Sequence, residues 1–182
     1  MAGSTGIGPR RSAVIVPIEL PPALERVRAV ADPVARLGVP AHVTLLFPFL
    51  ERPLLRPDVL GRLAAILGRE PAFDLDLAAV RAFPGVDDSA GVVYLAPEPA
   101  APFVRLTGAI WAAWPDHAPY EGSFDEVVPH LTIADGTRRL AEIEAVAAPH
   151  LPVRRRAEEA WVIVETDDGR WTRLARLPLG EA

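Results

Sequence analysis

Two short segments of the chain carry one chemical pattern: His42-Val43-Thr44 and His130-Leu131-Thr132 each place a histidine two residues ahead of a threonine. Both lie in apolar, β-branched runs, AHVTLLFPF and PHLTIAD, which read as strands. Side chains at i and i+2 of a strand share a face. His42, Thr44 and Leu46 are therefore expected on one side, with Val43, Leu45 and Phe47 on the other. His130 and Thr132 likewise oppose Leu131 and Ile133. Each strand offers an imidazole and a hydroxyl on one face and packs the core with the other. Pro40 and Pro129, just ahead of the motifs, favour extended backbone there.

Brought together in one cleft, two imidazoles and two hydroxyls suit phosphodiester cleavage. A neutral histidine accepts a proton from water or a ribose hydroxyl, and a protonated one donates to the departing oxygen. The unperturbed imidazole pKa of ~6.5 lets both forms exist near neutrality. Threonine hydroxyls can hold the non-bridging phosphoryl oxygens, whose charge must be stabilised through the transition state.

The residue inventory narrows the alternatives. The sequence has no cysteine, which excludes disulfides, thiolate nucleophiles and Cys-ligated metals. All 19 basic residues are arginine, so a Schiff-base lysine and a P-loop lysine are both missing. The serines, at 4, 12, 89 and 123, lie in no G-x-S-x-G context. With four histidines in no HxH or HxxxH spacing, a metal site would need Asp135 or Glu126, and none is expected. A net charge of −5 argues against an extended nucleic-acid surface and leaves room for a small phosphorylated substrate in a locally positive cleft.

The elements that must position these residues follow from periodicity. SAVIVPIEL reads as a buried strand, and ALERVRAVADPVARL as a helix with Leu24, Val27, Val30 and Val34 along one side, broken near Pro33. PDVLGRLAAILGRE is an amphipathic helix, and FDLDLAAVRAF and GVVYLAP are strands flanking a turn. APFVRLTGAIWAAW is a second-half helix, and a loop from Pro115 to Pro129 leads to HLTIAD. TRRLAEIEAVAAPH reads as a helix with Thr137 as its N-cap. RRRAEEAWVIVE and RWTRLARLPL read as two strands turned through Asp168-Gly169. The order strand, helix, His-strand, helix, strand thus occurs twice, the two motifs being about half of the 182 residues apart.

From about Ser12 onward, AHVTLLFPF, PHLTIAD, their separation and this element order resemble the two-histidine phosphoesterase superfamily, which includes the 2′-5′ RNA ligase-like and cyclic phosphodiesterase-like proteins. The resemblance implies an α+β fold of two pseudo-symmetric lobes of antiparallel sheet, with flanking helices around a central groove. It implies a single two-lobed domain over 12–182, and the Gly-rich residues 1–11 ahead of it are expected to be a flexible segment. It also implies catalysis by His42 and His130, phosphate binding by Thr44 and Thr132, and no cofactor or metal. The expected substrate is a small nucleotide or RNA end carrying a cyclic phosphate or 2′-5′ linkage. A nucleotide-binding module without turnover is the alternative from another class.

Strand alternation aims Arg154 and Arg156 together, so either can reach a substrate phosphate, although a run of three arginines is ordinarily a solvated face. Phe47, Phe49, Trp111 and Trp114 are expected in the core, and His117 and His150 in solvent. Tyr94 and Trp161 fit groove lining and packing equally well. The N-terminal residues lack the order of a signal peptide, and no apolar run spans a bilayer, so the expected compartment is the cytoplasm with no membrane partner.

Overall fold

The structure is a computed structural model describing residues 11–85, 90–122 and 127–181. The expected flexible segment 1–11 lies outside the described residues except for Arg11, which pairs with Glu165 at 3.0 Å. In chain order the strands are β1 (Ser12–Pro17), β2 (His42–Leu46), β3 (Phe73–Phe83), β4 (Gly91–Glu98), β5 (Leu131–Thr137), β6 (Val153–Ala157), β7 (Glu159–Glu165) and β8 (Trp171–Pro178). The helices are α1 (Pro22–Ala31), α2 (Pro33–Arg36), α3 (Pro57–Leu67), α4 (Ala101–Ala113) and α5 (Leu140–Ala147). Proline opens α1, α2 and α3, where its missing N–H costs nothing. Asp32 separates α1 from α2, accepting from the Val34 N–H at 3.2 Å.

The strands form two antiparallel four-stranded sheets, ordered β2-β1-β7-β8 and β5-β4-β3-β6. β1–α1–β2 in the first sheet corresponds to β4–α4–β5 in the second, and each unit ends on an edge strand carrying one motif. The helices are exchanged: α1 packs on β5, and α4 packs on β2. A continuous hydrophobic cluster runs through both sheets, from Val14, Val43 and Leu45 to Leu95, Leu131 and Ile133, covered by Leu24, Leu63, Phe103 and Ile110 from the helices. The architecture is α+β, with two matched sheets. Among the described residues no helix is long and apolar enough to cross a membrane.

Several local expectations change. Val30 is exposed, and Arg28 instead occupies the buried side of α1 with Leu24. Thr137 does not cap α5. It ends β5, and its hydroxyl accepts from the Arg139 N–H at 3.0 Å, with the helix starting at Leu140. RRRAEEAWVIVE is two strands, because the chain crosses at Glu158 from the second sheet to the first. Trp111 is 42% exposed, and His117 is half-buried against Phe49.

Candidate active site

The two edge strands use one local device. In β2 the register passes from Ile15↔Thr44 to Val14↔Leu46, leaving Leu45 as an extra residue. In β5 it passes from Tyr94↔Thr132 to Val93↔Ala134, leaving Ile133 as the extra residue. Each is a β-bulge placed directly after the motif threonine. The bulge lets two consecutive side chains, Leu45-Leu46 and Ile133-Ala134, both enter the core. Leu46 therefore does not share the face of His42, as plain alternation suggests. Val43, Leu45, Leu131 and Ile133 are buried as expected, and both histidines and both threonines are half-buried on the opposite face.

The imidazoles are held alike. His42 Nδ1 lies 2.7 Å from the Pro40 carbonyl oxygen, and His130 Nδ1 lies 2.7 Å from that of Val128. A carbonyl only accepts, so Nδ1 carries the proton in both rings, and Nε2 is left with the lone pair when the ring is neutral. His42 Nε2 is 3.1 Å from the Thr44 hydroxyl. The phenol of Tyr120 hydrogen-bonds Thr44 in turn. The same Tyr120 ring lies nearly parallel to that of His130, 6.3 Å centre to centre at 25°. Tyr120 thus joins the two motifs. It reaches the site from a short 3-10 turn, Pro119–Gly122, whose Tyr120 N–H donates to the Phe47 carbonyl at 2.6 Å.

The two histidines differ in their surroundings. His130 is enclosed by aromatic rings: Phe83 at 5.2 Å and Tyr94 at 5.6 Å, themselves stacked at 4.4 Å. His42 has the buried Arg28 cation nearby. Burial holds the His42 pKa down to about 4, against the pull of the Pro40 carbonyl, and the charges of Arg28 and His130 lower it further. Burial also lowers His130, opposed by the Val128 carbonyl. Both rings thus rest neutral at pH 7, with His42 the more reluctant to accept a proton.

The face beyond the motifs is set by register. Tyr94 lies opposite Thr132, and Arg81 on β3 lies opposite Tyr94. Arg81 is exposed and has no carboxylate partner among the described residues. In the first sheet, Ile15 lies opposite Thr44 and Trp161 opposite Ile15. Trp161 carries Arg173 over its ring at 4.3 Å. Tyr94 and Trp161 both fall on the motif face by register, and both pack there, Tyr94 buried and Trp161 against the second cluster. Phe47 packs on that face with Trp161 and Trp171, whereas Phe49 belongs to the main core.

Arg154 and Arg156 are not brought to the site. They lie on β6, at the sheet edge opposite β5, where Arg154 faces Asp76 at 3.7 Å and Arg156 pairs with Asp74 at 3.0 Å. Ladder spacings put them roughly 20–25 Å from Thr132. Among the described residues, no three His, Asp or Glu side chains gather as metal ligands. Asp135 is exposed on β5, and Glu126 lies outside the described residues.

The sequence matches the model of the 2′-5′ RNA ligase superfamily over residues 16–169. The chain belongs to that superfamily. Also called the two-histidine phosphoesterases, this superfamily spans phosphodiesterases and ligases. No curated protein sequence matches the chain. Solved structures share its fold. LigT of E. coli in its apo form has 21% identity and a TM-score of 0.55, over 95% of this chain and 99% of that one. TT0787 of Thermus thermophilus has 21% identity and a TM-score of 0.56, over 94% and 100%. Usb1 of Kluyveromyces marxianus with uridine monophosphate has 12% identity and a TM-score of 0.52, over 92% and 98%. LigT has also been crystallised with 3′-AMP, at 18% identity and a TM-score of 0.57, over 94% and 98%.

Proposed function

We propose that the chain is a metal-independent phosphodiesterase that opens nucleoside 2′,3′-cyclic phosphates or related RNA ends, with His42 and His130 as its acid–base pair. One observation carries this reading. Two imidazoles on separate sheets have the same orientation, Nδ1 held by the carbonyl two residues back, and Tyr120 links their surroundings. The nucleotides crystallised with LigT and Usb1 support a small nucleotide substrate.

The differing surroundings assign the roles. His42, kept neutral by burial and by Arg28, is the base: its Nε2 takes a proton from water as the oxygen attacks phosphorus. His130 is the acid, giving its proton to the ribose oxygen as the P–O bond breaks and a phosphomonoester forms. The rings of Phe83 and Tyr94, at 86° and 66° to the imidazole, fix its orientation, and the Val128 carbonyl favours its protonated form. Thr44 and Thr132 donate to the non-bridging oxygens. Arg81, two strands from Thr132 on the same face, holds a further substrate phosphate. Ligation uses the same groups with a ribose hydroxyl in place of water.

The test is product analysis with nucleoside 2′,3′-cyclic phosphates and 2′-5′ dinucleotides, with and without chelator. Phosphomonoester of one regiochemistry, formed equally in chelator, is expected. Tight nucleotide binding without any product would identify a binding module instead, and activity restored only by zinc or manganese would overturn the two-histidine chemistry.

A further inference from the structure

α1 buries a charge where its sequence pattern calls for apolar residues. Arg28 is 3% exposed and Asp32 is 1% exposed, and they pair at 3.0 Å across one helical turn. Two ions withdrawn from water are a weak source of stability, since apolar residues of similar volume often serve as well. The pair instead has a specific attachment. Arg28 Nη2 donates to the Val39 carbonyl at 3.0 Å, and Asp32 holds the Val34 N–H at the α1–α2 corner. Arg28 Nε has no hydrogen-bond partner among the described residues.

Val39 begins the segment that feeds β2. The next carbonyl, that of Pro40, accepts the His42 Nδ1 proton, and the carbonyl of Ala41 accepts from the Ile18 N–H at 2.9 Å. The opposite half has no such arrangement: α4, which stands to β4 and β5 as α1 stands to β1 and β2, buries Thr107 and no charged residue.

We infer that Arg28 and Asp32 form a positioning pair for His42: Arg28 fixes the Val39 carbonyl, hence the adjacent Pro40 carbonyl, and hence the imidazole whose Nε2 meets the Thr44 hydroxyl. This inference rests on the two-histidine reading of the site. The groups facing His42 are Arg28 from α1, His130 just ahead of β5 and, through Thr44, Tyr120; Asp32, at the end of α1, faces Arg28, and Asp135 of β5 faces Asp32. Arg28 therefore also bears on the proton affinity of the base, keeping the ring in the form that accepts a proton.

Two full-length variants test the pair. Arg28→Met with Asp32→Asn removes both charges and keeps the side-chain oxygen for Val34. Arg28→Lys keeps the charge and loses the planar fork. Nitrogen NMR of the histidine rings in the ligand-free protein reads tautomer and titration of His42 directly, and kcat and KM are measured across pH. In the double variant His42 is expected to lose its single Nδ1–H tautomer and to titrate about one pH unit higher. Its kcat is expected to fall about 10–100-fold, with KM changed little. Arg28→Lys is expected to keep the titration and lose the tautomer order, and it decides the question if the double variant fails to fold. A His42 tautomer unchanged in the folded variants overturns the inference, whatever their activity. Because NMR needs no substrate, this result is separate from the case in which the wild-type protein turns over no phosphodiester, which would sink the catalytic reading instead.

Discussion

Each histidine is pinned through Nδ1 to the carbonyl two residues behind it, so the chemistry is left to Nε2. His42→Ala and His130→Ala should each lower kcat/KM by about 10²–10⁴-fold. Both side chains are half-buried and belong to neither hydrophobic cluster, so circular dichroism should show an unchanged fold. The pH dependence follows from the direction of the shifts. His42 must be neutral and titrates at about 4; His130 must be protonated and titrates below its ordinary 6.5. The kcat/KM profile of the free enzyme should rise near pH 4 and decline before neutrality, a bell on the acid side. An optimum in the alkaline range contradicts these assignments. The same shifts act on stability. The unfolded chain takes up protons on both rings below about 6.5 while the folded chain resists, so this contribution to stability is present above that pH and is lost as the pH falls toward 4.

At the level of the strand, position decides which arginine matters. Arg81 stands opposite Tyr94, which stands opposite Thr132, all on the motif face. Arg154 and Arg156 stand on the far edge strand with Asp76 and Asp74 as partners. Arg81→Ala should raise KM about tenfold for a substrate with a second phosphate, a loss of ~1.4 kcal/mol, and leave a substrate without one unaffected. Arg154→Ala and Arg156→Ala should change KM little, and exposed pairs of this kind contribute at most ~1 kcal/mol to stability. Equal effects of all three would show that the strand register does not select the substrate contacts.

What the sequence reveals here, and what it hides, follows from the range of each signal. The His-x-Thr faces are legible because strand alternation is local, and so is the break at Pro33, because proline acts on its own backbone. The bulges at Leu45 and Ile133 depend on partner strands, so alternation alone misassigns Leu46. RRRAEEAWVIVE contains no turn residue to mark a break, and only the three-dimensional crossing at Glu158 divides it. Tyr120 is a single residue in a loop without period, and Arg28 breaks the apolar stripe of α1 because its partner, one turn on, is a carboxylate. The residues that shape the site beyond the motifs were hidden for that reason: each is defined by a neighbour distant in sequence or by an ionic exception.

Across the whole molecule, the sheets meet at two places with different duties. At β2 and β5 they meet through the motifs and the exchanged helices α1 and α4. At the outer edges they are joined by the chain itself at Glu158 and by the C-terminal segment. The Leu179 N–H donates to the Glu158 carbonyl at 2.8 Å, the Gly180 N–H to that of Glu70 at 2.8 Å, and the Ala72 N–H to that of Gly180 at 2.9 Å. The segment thus ties the end of β8, in one sheet, to the entry of β3, in the other. Gly180 is required by close approach, since a Cβ there would lie 2.5 Å from the Gly68 carbonyl oxygen, a backbone atom with no rotamer to yield. Gly180→Ala should therefore force the segment outward and cost about 1–3 kcal/mol, lowering Tm by about 3–10 °C for a chain of this size. Because one core runs through both sheets, the loss should be cooperative. Far-ultraviolet dichroism, loss of activity, and the fluorescence of Trp161 and Trp171 in the first sheet, read in a Trp111→Phe, Trp114→Phe background, should all share the lowered midpoint. Fluorescence that melts apart from activity would mean that the first sheet unfolds on its own, and that the shared core does not hold the two motifs together as a unit.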